Sequence, residues 1–167
     1  MIGNLRVGGI LQIKHIRNGR QIAKYRKHND VTDSGLQYIC RTMFQAGTYS
    51  PYKDWYMGLI DSAAYSGVAN DDLMPIHTGW AEFEDYSEAA RQAWVPTLLS
   101  SPATFSNASA CEFTIDAAGD VKGMFIASDD TLGGTAGFLW ATAVFGSAIE
   151  VLNADVFRCQ YELTASR

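Results

Sequence analysis

Four carboxylates, Glu82, Glu84, Asp85 and Glu88, crowd one short segment. Paired carboxylates are the apparatus of glycoside hydrolysis, which needs two of them about 5–10 Å apart across a cleft. Acids packed into a single polar segment meet that spacing by chance, so they carry no assignment. A serine hydrolase would need a nucleophile elbow such as G-x-S-x-G, and the chain has none. His15, His28 and His77 stand in unrelated contexts, and none shares a metal-ligand spacing with another His or Cys. Cys40, Cys111 and Cys159 are widely separated and form no C-x-x-C pair, which speaks against zinc. Asp71-Asp72 and Asp129-Asp130 offer oxygen ligands to calcium, but the EF-hand glycine and closing glutamate are missing. Gly133-Gly134 is not followed by the G-K-[ST] of a phosphate loop. The residue types point to a protein without catalytic residues, cofactor or metal.

Charge is the stronger signal. Residues 1–53 hold nine Lys and Arg against two acids, and the remainder holds four bases against sixteen acids. A basic beginning on an acidic body can orient an encounter with an acidic partner. The bases concentrate in Arg17, Arg20, Lys24, Arg26 and Lys27, which are the candidate partner-binding residues. Lys24, Tyr25, Arg26 and Lys27 interleave an aromatic with bases, a pattern suited to nucleic-acid backbone. The acidic remainder would repel a polyanion, so a protein partner fits better. Lysines on an edge strand also deter edge-to-edge pairing.

The elements that carry these residues are mostly strands. Gly9 to Arg17 alternates loosely, Asn18-Gly19 supplies the two positive-φ residues of a type I′ turn, and Arg20 to Lys27 returns. Residues 9–28 therefore read as a basic β-hairpin, an edge or a projecting arm. Thr32, Asp33 and Ser34 can cap a helix. Leu36, Ile39, Cys40, Met43 and Phe44 then mark an apolar stripe on a helix over about 33–45, stopped by Gly47, packing across a sheet. Asp54 to Ile60 reads as a buried strand whose Gly58 implies a bulge or a close neighbour. Asp61 to Pro75 is a long loop, of a length that is either functional or packed on itself. Cys111 to Asp116 and Val121 to Ser128 read as a second hairpin. Phe138 to Phe145 and Val156 to Thr164 flank a turn at Asn153-Ala154-Asp155. The last run sets Val156, Arg158, Gln160 and Glu162 against Phe157, Cys159, Tyr161 and Leu163, a strand with one wet face.

Eight or nine short strands and one helix near the N-terminus predict a single mainly β domain over residues 1–167, an antiparallel β-sandwich of jelly-roll type. A chain of 167 residues buries roughly 70% of its unfolded surface without staples. The cysteines fit buried apolar residues of a protein made in a reducing cytoplasm. Residues 1–6 lack the charged start and apolar core of a signal peptide. No apolar run approaches the ~20 residues of a membrane-crossing helix.

Several segments together resemble small structural proteins of tailed bacteriophages. They are Asn29 to Leu36 with its helix, Trp55 to Ile60, and His77-Thr78-Gly79-Trp80 leading to Asp85-Tyr86-Ser87 and Arg91. Gly133-Gly134-Thr135, Leu139-Trp140 and Asn153 to Val156 extend the pattern over nearly the whole chain. The resemblance is to capsid decoration, or cement, proteins, which are jelly-roll-like β-domains on the outer shell. It implies a virion structural protein, synthesised in the host cytoplasm, that binds the major capsid protein, self-associates as a dimer or trimer, and stabilises the capsid surface without catalysis. The alternative it implies is a tail or head-fibre module that binds a receptor or carbohydrate through aromatic platforms such as Tyr65, Trp80 or Trp94.

Overall fold

The computed structural model describes residues 6–45, 54–99 and 103–166. Asn18 and Gly19 both take positive φ, 51° and 71°, and join β1 (Arg6–Arg17) to β2 (Arg20–His28). The short β3 (Asp30–Val31) leads into α1 (Asp33–Phe44). Next come β4 (Tyr56–Asp61), β5 (Glu82–Phe83), β6 (Gln92–Ala93) and β7 (Pro96–Leu99). The chain closes with β8 (Thr104–Asn107), β9 (Cys111–Thr114), β10 (Gly119–Ala127), β11 (Leu139–Val151) and β12 (Val156–Ser166).

These strands form two six-stranded antiparallel sheets, so the molecule is a mainly β sandwich with one helix. The first sheet runs β2–β1–β12–β8–β7, with β9 on the other half of β12. The second runs β3–β11–β10–β4–β5, with β6 also on β4. Alternation sends Leu11, Ile13, Phe157, Cys159 and Tyr161 inward from the first sheet, against Met57, Leu59, Met124 and Ile126 from the second. Burying each such side chain contributes roughly 1.5–3 kcal/mol.

The two outer faces differ. Ile60, Phe125, Ala127 and Leu139 point out of the second sheet, and the long loop covers them with Met74 and Trp80, assisted by Tyr65 and Val68. That loop is therefore packed on the sheet, and β4 and β10 are apolar on both sides. Gly58 has its close neighbour, since a β-carbon there would strike the Phe125 ring. The outer face of the first sheet has no such cover among the described residues.

Four expectations need correction. The hairpin is no projecting arm: β1 begins at Arg6 and pairs along its length with β12, from Arg6 opposite Ser166 to Ile16 opposite Val156. Only β2 is an edge. Cys111 to Ser128 is no hairpin either, because β9 pairs with β12 and β10 pairs with β11 and β4, in opposite sheets. A local reading sees two alternating runs and a turn, whereas the inward faces of the two sheets decide where each run goes.

The helix is capped by Thr32, whose hydroxyl accepts from the Gly35 amide at 3.0 Å. Of its expected apolar stripe, only Ile39 meets the core. Ser34 and Gly35 are buried, and Tyr38 and Ile39 pack on the core. Leu36, Cys40, Met43 and Phe44 face outward, Phe44 with 79% of its surface exposed. Cys40 is thus an exposed thiol, while Cys111 and Cys159 are buried as expected. The aromatic cluster of Tyr38 with Trp55, Phe138 and Trp140 holds the helix by a face that shares only Ile39 with the apolar stripe. Gly47 lies outside the described residues, and the helix ends at Phe44.

Candidate docking face

In an antiparallel pair, directly opposite residues share a face. Lys24 is opposite Lys14, Lys14 opposite Arg158, and Arg158 opposite Glu112. Three cations therefore stand in a row across β2, β1 and β12 on the uncovered outer face. One step along, Arg26, Gln12 and Gln160 form the adjacent row. Together Gln12, Lys14, Lys24, Arg158, Gln160 and Ala110 line a shallow hollow of about 110 Å³.

The row is electrostatically unbalanced. Arg158 meets Glu112 at 2.7 Å, both half-exposed. Lys14, Lys24 and Arg26 make no ion pair among the described residues. Like charges opposite one another oppose folding. The face therefore keeps an excess of positive charge beside the glutamine side chains of Gln12 and Gln160.

The structure divides the predicted basic residues. Lys24 and Arg26 belong to this face. Arg17 does not: its Nε and Nη2 donate to Asp155 at 2.8 and 2.7 Å. His15 Nε2 lies 2.8 Å from the same carboxylate, and the Leu152 amide donates to it at 2.9 Å. Asp155 is buried. Burial would raise its carboxyl, but the hydrogen bonds from Arg17, Leu152 and His15 outweigh that and hold it well below the ordinary carboxylate value. Arg17 is thus a structural clamp between the end of β1 and the turn before β12. Arg20 sits beside the hairpin turn, opposite Arg17. Lys27 shares the other side of β2 with Tyr25, whose ring packs on Phe145 at 5.9 Å. Lys14, Arg158, Gln12 and Gln160 were missed as site residues. The wet face of β12 was legible, but only its register against β1 brings Arg158 to Lys14.

Two of the four clustered carboxylates, Glu82 and Glu88, have structural partners. Glu82 takes Nε and Nη2 of the buried Arg91, the closest contact being 2.7 Å, and accepts from the Gly133 amide at 2.9 Å. Arg91 also donates to the Asp129 and Gly134 carbonyls, closing the loop before β11. Glu88 accepts from the Thr114 amide at 3.0 Å. Asp72 accepts from the Ala69 amide and the Trp80 indole, and Asp129 from the Thr131 amide. No cluster of three or more metal-ligating side chains is present among the described residues, and no helix among them is long and apolar enough to cross a membrane. Of the proposed aromatic platforms, Trp80 and Trp94 are buried. Tyr65 is partly covered, with Lys122 Nζ 5.3 Å from its ring centre.

No protein-family model, curated protein or solved structure matches the chain.

Proposed function

We propose that this chain is a non-enzymatic virion structural protein that seats the outer face of its first sheet on an acidic patch of the major capsid protein and clamps neighbouring subunits. The observation that carries this reading is the row Lys24–Lys14–Arg158, flanked by Arg26, on a bare sheet of an otherwise acidic chain. A flat face reaches across a subunit boundary, and many weak copies on one shell hold it by multivalency. The phage context comes from the sequence resemblance. The burial of Trp80 and Trp94 supports a clamp over a glycan-binding tail module.

The test is co-sedimentation with undecorated capsids, followed by cryo-electron microscopy. Saturable density with this sheet against the shell is the expected result. Reversing Lys14, Lys24 and Arg26 to Glu should weaken binding about 10- to 100-fold at low salt, with a smaller effect at high salt. Unchanged occupancy by the triple variant would discard the face. Protein that ignores capsids but binds tails or host cells would move the reading to the tail module.

A further inference from the structure

The first sheet has its outermost strands at β2 and β7, with β9 a further edge beside β12. Natural edges are guarded by charge, bulges or cover, because their unpaired amides and carbonyls can recruit another strand. The β2 edge is guarded by Arg20, Lys24, Arg26 and Lys27, and by an irregularity in its pairing between His15 and Ile16. The β7 edge is not. All four residues of β7, Pro96-Thr97-Leu98-Leu99, are exposed, and neither β7 nor β8 carries a charge. Leu98 is 61% exposed and directly opposite Phe105, itself 37% exposed and opposite Leu163. Val95 and Leu99 add to the apolar margin.

We infer that the β7 edge is a self-association surface, occupied by β7 of a second copy of this chain in antiparallel pairing about a two-fold axis. A strand added to an open edge satisfies backbone groups on both sides, and a two-fold contact needs a patch that complements itself. Charge decides between the edges. Copies joined through β2 would set cations against cations, whereas β7 against β7 meets no charge and buries Leu98 on both sides. The contact is short and falls well below the ~800 Å² per partner of a standard interface. It is therefore weak in dilute solution and strengthened wherever copies are held close together. This inference does not rest on the virion reading, since the free protein tests it.

Sedimentation equilibrium should show the mass rising from 18.3 kDa toward twice that as the concentration is taken to about 0.5 mM. Leu98→Lys should weaken the association at least about tenfold, with the circular dichroism unchanged because the side chain is exposed. Ile22→Lys on the opposite edge and Phe44→Ser on the helix should leave it intact. In a Cys40→Ser background, Thr97→Cys or Leu98→Cys should form a covalent dimer on mild oxidation, as opposed residues come within disulfide reach. A chain that stays monomeric throughout, or a dimer that survives Leu98→Lys or dissociates with Phe44→Ser, overturns the inference. So does a dimer in which neither cysteine variant cross-links.

Discussion

The two ends of the first sheet, β2 and β7, are both antiparallel strands and differ in length and in charge. The β2 edge carries four cations on nine residues; the β7 edge carries none on four. By charge, the first would repel a second copy of itself, and the second would not. On the reading proposed above, side-chain charge is the main difference that would separate a docking face from a self-associating edge in one sheet.

The largest expected effect comes from removing what holds the basic edge in place. Asp155→Ala leaves His15 without its buried partner and frees Arg17, and should cost about 3 kcal/mol in urea denaturation. The same carboxyl sets an acid limb. Its folded pKa lies below the ordinary 3.8, so its contribution is complete above that value and is lost as the pH falls toward the folded pKa. Stability measured from pH 6 downward should fall less steeply in Asp155→Asn than in the wild type.

Of intermediate size is an attempt to erase the difference between the edges. Changing Arg20, Lys24, Arg26 and Lys27 together to Thr should let the β2 edge pair as well, so that dimers joined at β7 link onward into larger species. Light scattering that rises with concentration in this variant, and drops when Leu98→Lys is added, is the expected result. A variant that assembles no further than the wild type would show that charge is not what guards β2.

The smallest effect concerns the cost of the row itself. Lys24→Glu turns a repulsive pair with Lys14 into an attractive one and should raise stability by about 0.5 kcal/mol at low salt. The gain should vanish near 1 M salt, where charges are screened within about 3 Å. Urea midpoints at the two salt concentrations measure it.

Much of the fold is legible locally. The Asn18-Gly19 turn, the helix start at Thr32 and the alternation of β12 each follow from a few neighbouring residues. The side of α1 that meets the core is not legible. Of the stripe Leu36, Ile39, Cys40, Met43 and Phe44, Ile39 alone packs on the core, while Gly35 is buried and Tyr38 partly buried, because small residues and an aromatic ring fit the space beside Trp140 and Trp55. The clamp at Asp155 was hidden in the same way: a turn residue in sequence becomes a buried anion only when β1 brings His15 and Arg17 beside it.

By itself the sequence determined the class of the fold, the basic start on an acidic body, and the absence of recognisable catalytic motifs, since these depend on composition, period and local turn chemistry. The tertiary structure decided which cations act together. Register across three strands unites Lys24, Lys14 and Arg158 from distant parts of the chain, and the same packing ties Arg17 to the buried Asp155. Register and burial arise from the match of whole inward faces, a property no single segment carries.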